Sequence, residues 1–254
     1  MSLSTRQSLV RLARKYDALI ITDDVYDHLQ WPTQAKSSAN HSRAPVARLV
    51  DIDRTMEPTP SPDSFGNTMS NGSFSKIVAP GIRTGWAEGT PKLIYGLSQC
   101  GSTASGGAPS HMTATFVYEM LKSHTLQGYI SDVLCTSYQR RYLTMLEAIK
   151  KHLLPLGVQL GETDFGEERL FGGYFIWLKL PDGVDTDVVT KEGADKWNLI
   201  LSPGSVFEVS GDNMNEKVRF RNEMRLSFAW IEENELVEGV KRLKDVIASV
   251  VNGR

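Results

Sequence analysis

Two short stretches of the chain hold the residue types of a reactive site. In NGSFSKIVAPGIRTGW, residues 71–86, Lys76 stands among serines and apolar residues, and Arg83 follows beyond a Pro-Gly turn. Phe74, Ile77, Val78, Ile82 and Trp86 demand burial, so this is no solvated charge run. Lys76 and Arg83 equally argue against a plain core strand, and a buried cationic site suits the pattern. Removing a lysine from water favours its neutral, nucleophilic amine. The competing reading is a strand-end lysine whose stem lies on apolar surface while its ammonium reaches water. The planar fork of Arg83 matches a phosphate, and Ser73 and Ser75 add hydroxyl donors. A salt bridge would explain Arg83 alone, but not the cluster.

The second stretch is ITDDVY, residues 21–26. Acids at the carboxyl end of an apolar strand sit where open α/β sheets bind ligands. Asp23 and Tyr26 are spaced to reach one planar ligand from neighbouring positions. A buried carboxylate needs a cationic partner, and a protonated ring nitrogen would serve. Otherwise Asp23 or Asp24 simply caps the following turn. Further on, EMRLSFAW carries Arg225 in the middle of an apolar strand. Its alternative reading is a strand-end ion pair with Glu223.

The elements that must position these residues follow from periodicity. Leu3–Tyr16 has the apolar spacing of a helix, with Ser4 as candidate N-cap. It runs straight into ALIITDD, a continuous apolar strand of the kind buried on both faces of a parallel sheet. Residues 32–68, rich in Pro, Ser, Asn and Thr, read as a long irregular surface connection. A strand near Thr68–Phe74, the lysine segment and a strand at Gly85–Gly89 come next. Pro91–Cys100 reads as a helix, GSTASGGAPS as a loop, and His111–Ser123 and Leu126–Leu154 as helices ending at Pro155. Beyond that point the texture changes. GGYFIWLKL is a strand, Thr186–Trp197 a helix, LILSPGSVF a strand and turn, EMRLSFAW a strand, and Glu232–Val251 an amphipathic helix. The domain boundary falls near residues 153–157.

With 254 residues the chain has room for one large domain or two modest ones. A net charge of −2 gives no basis for nucleic-acid binding. No apolar run approaches the roughly 20 residues that span a membrane. Cys100 and Cys135 lie in segments read as helical, which favours a reduced, cytoplasmic compartment over a disulfide framework. The basic N-terminal helix lacks the apolar core of a secretory signal.

Taken together, D-x-x-Y, S-x-S-K and an arginine seven residues on resemble the pyridoxal-phosphate-dependent aminotransferases of class I/II, fold type I. The aminoadipate/kynurenine aminotransferase-like subgroup is similar in its DD-x-Y and GSFSK patterns. SPGSVF, with Pro203 and Gly204, resembles the family's small-domain PG-x-x-F turn. The resemblance implies an α/β fold in two parts. Residues 1–154 would be the C-terminal portion of the cofactor-binding large domain, a mostly parallel sheet with helices. Residues 155–254 would be the small α+β domain.

It also implies pyridoxal 5′-phosphate as cofactor, with Lys76 as its covalent anchor and catalytic base. Asp23 would pair with the ring nitrogen, and Tyr26 with the phenolic oxygen. Ser73, Ser75 and Arg83 would hold the phosphate, and Arg225 the substrate α-carboxylate. The partners implied are an amino acid, aromatic or 2-aminoadipate-like, a 2-oxo acid, and a second copy in a homodimer. Family members carry a long segment before the first helix, ending in Asn-Pro-x-Gly, so a sheet with exposed apolar edges and faces is expected here. Two alternatives stay open: a non-catalytic remnant of such an enzyme, and a fold type I enzyme with another reaction, such as C–S lyase or cyclisation chemistry.

Overall fold

The computed structural model describes residues 1–32, 46–61, 63–104, 110–161, 170–209 and 219–252. The chain divides into two compact units, Met1–Thr136 with Asp164–Gly173, and Ser137–Thr163 with Tyr174–Arg254.

The first unit opens with α1 (Leu3–Lys15). Its N-cap is Ser2 rather than Ser4, because the Ser2 hydroxyl is the one that accepts from the amide of Thr5, at 3.2 Å. There follow β1 (Ile20–Asp23), β2 (Gln30–Pro32) and α2 (Leu49–Thr55). The last of these corrects the irregular connection expected over residues 32–68. α2 escapes the usual start signals because its N-cap residue is an arginine, which cannot accept: Asp51 closes the first turn instead, accepting from the Arg48 amide at 3.0 Å and from Arg48 Nε at 2.9 Å. Residues 33–45 and Pro62 of that connection lie outside the described residues. Val10 of α1 packs with Leu49 and Ile52 of α2, and Ile20 of β1 joins them. Asp53, 3% exposed, ties the helix to its surroundings. It accepts from Arg14 Nε at 2.8 Å and from Thr68 Oγ1 at 3.0 Å.

β3 (Thr68–Ser73) and β4 (Gly85–Glu88) complete a sheet of order β1-β3-β4. β1 and β3 are parallel, in a register that sets Asp23 beside Asn71; β3 and β4 are antiparallel. Contrary to the reading of β1 as buried on both faces, its burial alternates, with Ile21 60% exposed and Asp23 exposed. One face meets the cluster of α1 and α2, whereas the other is open among the described residues. α3 (Pro91–Ser98) starts at Thr90, whose hydroxyl caps it, and α4 is the short Gly101–Ala104. Cys100 sits between these two helices, not inside one. Residues 105–109 of the glycine-serine loop lie outside the described residues.

α5 (His111–Lys122), α6 (Thr125–Gly128) and α7 (Thr136–His152) follow, with a π-helical turn over Tyr129–Cys135 between the last two. The single helix read over 126–154 is therefore interrupted by a π turn that keeps the chain helical and begins directly after Gly128.

The second unit begins at Ser137, so it holds α7 but for its first residue, and it carries β5 (Gln159–Leu160). β6 (Leu170–Gly172), back in the first unit, pairs antiparallel with β2. β7 (Phe175–Lys179), α8 (Thr186–Trp197), β8 (Ser202–Pro203), β9 (Glu223–Ser227) and α9 (Glu233–Asn252) finish the chain. GGYFIWLKL is thus two strands, because Gly173 breaks it at φ +77°. The sheet of this unit runs β5-β7-β9-β8, antiparallel throughout. α9 covers it with Leu236, Val240, Leu243, Ile247 and Val250, all buried, at the spacing of one helical face. LILSPGSVF forms strand only at Ser202–Pro203, and Ile200 is 92% exposed, because the β8 side of the sheet has no further partner among the described residues. No helix among the described residues is long and apolar enough to cross a membrane.

Candidate active site

The carboxyl ends of the parallel strands β1 and β3 bring the two motifs together. β1 ends at Asp23, and the chain turns so that the Leu29 amide donates to the Tyr26 carbonyl at 2.8 Å. β3 ends at Ser73, whose hydroxyl accepts from the Ser75 amide at 3.1 Å. The turn holding Lys76 is closed by the Val78 amide on the Phe74 carbonyl at 2.8 Å, and by the Phe74 amide on the Thr84 carbonyl at 3.1 Å. Phe74 and Ile77 are buried as anticipated, and Phe74 lies against Trp86 with centroids 4.7 Å apart. Lys76 itself is half-buried, and its Nζ stands 6.0 Å from the centroid of the Tyr26 ring. Residues fifty positions apart thus meet at one point.

Asp23 differs from the buried carboxylate expected of it. It is exposed, and its Oδ1 accepts from Asn71 Nδ2 at 3.0 Å rather than from a cation. Its neighbour Asp24 is the structural acid. Asp24 Oδ2 accepts from Thr22 Oγ1 at 2.5 Å and from Ser70 Oγ at 2.6 Å, which pins the strand end. Asn71 opens the lysine stretch, where no motif marks it. Alternation along β3 would have put it on the same face as Ser73, beside Asp23.

Arg83 is exposed and left-handed, with φ +50°, and its Nη1 donates to the Pro80 carbonyl at 3.3 Å. A non-glycine residue held in that region stores strain, and such residues gather at functional sites. The cationic site is therefore open to solvent on the Arg83 side.

Beneath the Tyr26 turn lies a charge cluster that the sequence did not reveal. Arg48 reaches Glu88 at 2.7 Å, Asp51 at 2.9 Å and Asp27 at 3.6 Å. Hydrogen bonds from Arg48 hold Glu88 below the usual carboxylate range. At Asp51 burial pushes upward, but the Arg48 side chain and amide outweigh it. Asp27 goes the other way: burial, then the nearby Asp24 charge, push it up to about 7. Its Oδ2 is buried without a hydrogen bond among the described residues. Burial likewise lowers the neighbouring His28.

In the second unit, Arg225 of β9 faces Trp177 of β7 and Ser202 of β8. Its guanidinium carbon lies 3.9 Å from the Phe175 centroid and 4.7 Å from that of Phe207. Both distances are those of cation–π contacts, which use the positive charge without consuming the N–H donors of the fork. The ion pair with Glu223 is not formed, since Glu223 accepts from Trp177 Nε1 instead.

The fold is that of the fold type I aminotransferases. The crystal structure of kynurenine aminotransferase from Pyrococcus horikoshii matches it with a TM-score of 0.74 at 26% identity, covering 98% of this chain and 52% of that one. The chain belongs to the aminotransferase class I and II family, whose sequence model matches residues 1–243. An uncharacterized protein of Saccharomyces cerevisiae is 40% identical over 94% of this chain and 51% of its own length. Aromatic-amino-acid aminotransferase 1 of Thermococcus litoralis is 27% identical over 97% of this chain and 50% of its own. The chain spans about half the length of the curated relatives it matches.

Proposed function

We propose that the chain serves pyridoxal-phosphate-dependent transamination, moving an amino group between an amino acid and a 2-oxo acid. The observation that carries this reading is the approach of Lys76 Nζ to the Tyr26 ring, at 6.0 Å, where the D-x-x-Y and S-x-S-K motifs converge. The donor set at that point fits pyridoxal 5′-phosphate. An arginine fork and two serine hydroxyls suit a phosphate, a carboxylate suits a protonated ring nitrogen, and a phenol suits the cofactor's phenolic oxygen.

In this reading Ser73, Ser75 and Arg83 bind the phosphate. Asp23, oriented by Asn71, holds the proton on the ring nitrogen, and Tyr26 donates to the phenolic oxygen. Bound there, the cofactor supplies an electron sink for the bond broken at the substrate Cα. The Lys76 amine would anchor the cofactor and, once the substrate amine has displaced it, would serve as the base that moves the proton at the substrate Cα. Arg225 receives the α-carboxylate on the N–H donors that its contacts with the Phe175 and Phe207 rings do not consume. A cavity of about 240 Å³ adjoins Arg225, with Ile200, Trp230 and Leu236 in its wall, which favours an apolar or aromatic substrate side chain over 2-aminoadipate.

Residues 1–154 belong to the cofactor-binding domain in this proposal, and 155–254 to the small domain. The exposed Met112 and Phe116 of α5 support a homodimer in which a second copy covers them. Two free cysteines agree with a cytoplasmic site. Incubation with pyridoxal 5′-phosphate, borohydride reduction and peptide mapping test the core of the reading. The expected result is a phosphopyridoxyl group on Lys76 alone. A label on another lysine sinks it, and no label at all favours the non-catalytic remnant.

A further inference from the structure

Tyr26 is held by a second pair of residues, Gly172 and Gly173, that no motif marks. β2 and β6 pair so that Gln30 faces Gly172, and the Gly173 amide donates to the Leu29 carbonyl at 2.9 Å. Leu29 in turn closes the turn on Tyr26 through its own amide. At Gly172 a methyl group would lie 2.6 Å from the Leu29 carbonyl oxygen, closer than real contacts allow. At Gly173 a methyl group would find the Tyr26 Cγ at 3.6 Å, an ordinary contact, but the backbone stands at φ +77°, where a side chain is strained. An alanine at 173, which lacks the local hydrogen bonding that lets Asn or Asp hold this region, would relieve that strain by rotating the backbone, and the surface against the Tyr26 ring would rotate with it.

We propose that Gly173 is a positioning residue for Tyr26: its bare, left-handed backbone forms the wall that sets the phenol ring and so the direction of its hydroxyl. The inference rests on the reading that Tyr26 donates to the cofactor. It adds a determinant of cofactor binding that lies far from the lysine motif in sequence.

A matched control exists within the chain. Gly157 has φ +83°, and a methyl group there would meet Pro181 Cγ at 3.5 Å, so Gly157→Ala imposes the same kind of strain away from Tyr26. The test uses the full chain labelled with 3-fluorotyrosine, the Tyr26 fluorine resonance being assigned by its loss in Tyr26→Phe. In Gly173→Ala that resonance shifts; in Gly157→Ala it stays. Pyridoxal 5′-phosphate affinity, read by absorbance titration, falls about tenfold in Gly173→Ala, as for loss of one hydrogen bond, and by about twofold or less when Tyr26→Phe is already present. An unmoved Tyr26 resonance overturns the inference, as does an equal loss of affinity in Gly157→Ala or in the Tyr26→Phe background. A shifted resonance with unchanged affinity overturns it through the other premise, the assignment of Tyr26 to the cofactor.

Discussion

Asn71 Nδ2 lies 3.0 Å from Asp23 Oδ1, between residues that the parallel register of β1 and β3 sets side by side. The amide fixes one lone pair of the carboxylate and leaves the second oxygen for a ligand. Asn71→Ala frees the Asp23 rotamer, so pyridoxal 5′-phosphate affinity falls by about fivefold, in line with about 1 kcal/mol for one hydrogen bond. Asn71→Leu, similar in size but without the amide, gives the same loss. Titration of cofactor absorbance measures both, and full affinity in either variant would remove Asn71 from the site.

Asp53 offers a stability prediction independent of any cofactor. Its carboxylate is buried against Arg14, with Thr68 as a second donor. Removing one partner of a buried pair leaves the other charge uncompensated, typically at about 3–5 kcal/mol. Asp53→Ala therefore lowers the urea midpoint sharply. An unchanged midpoint would mean that Arg14 finds water instead.

Asp27 predicts how stability varies with pH. Burial raises its carboxyl from 3.8 to about 7 in the folded chain. Between those values the folded state binds the extra proton, so stability falls as pH rises and the proton leaves. The contribution is complete below the unfolded value and gone above the folded one. Asp27→Asn mimics the protonated form at every pH. It should melt well above the parent at about pH 8 and close to it near about pH 4. Arg48 does not reverse this, because Asp51 and Glu88 already engage it. Parallel melting curves for the two proteins across that range would refute the assignment.

What was legible in the chain was what local chemistry announces. The helix at Thr186–Trp197 declares both ends, with Asp185 as N-cap and the left-handed Asn198 beyond its last turn. α2 declares neither, since its N-cap residue is an arginine and its apolar face is only two turns long. The motif residues of the first unit were legible because each lies at a strand end or in the turn that follows. The Arg48 cluster was not, because Arg48 and Glu88 stand forty positions apart and only folding makes them neighbours. The exposure of Asp23 was equally hidden, since a continuous apolar run does not say how many of its faces will be covered. Gly173 reads as one more residue of a strand, because nothing in the local sequence announces its positive φ.

Arg83 separates binding from strain. Its left-handed backbone costs about 1–2 kcal/mol that glycine would not incur. A charge-assisted contact to phosphate is worth about 1.5–3 kcal/mol. Arg83→Gly should therefore weaken pyridoxal 5′-phosphate about tenfold or more while leaving the melting temperature equal or higher. A variant that melts lower yet keeps its affinity would make Arg83 structural.

Arg225 asks which substrates the protein accepts. Its guanidinium carbon lies over the Phe175 ring at 3.9 Å and over the Phe207 ring at 4.7 Å, so two aromatic contacts hold the side chain before any ligand arrives. Two parallel N–H donors can then meet a carboxylate, a geometry that lysine cannot reproduce. Arg225→Lys keeps the charge but loses the fork. KM should rise by about tenfold or more for amino acids and 2-oxo acids alike, because both present the same carboxylate. Pyridoxal 5′-phosphate affinity should not change, since Arg225 touches no cofactor atom in this reading. Equal KM values in parent and variant would refute the carboxylate role and point to amines lacking that group. A rise confined to one substrate class would place Arg225 on the side chain instead. Loss of cofactor affinity would show that the residue supports the fold, and substrate recognition would then have to be sought elsewhere.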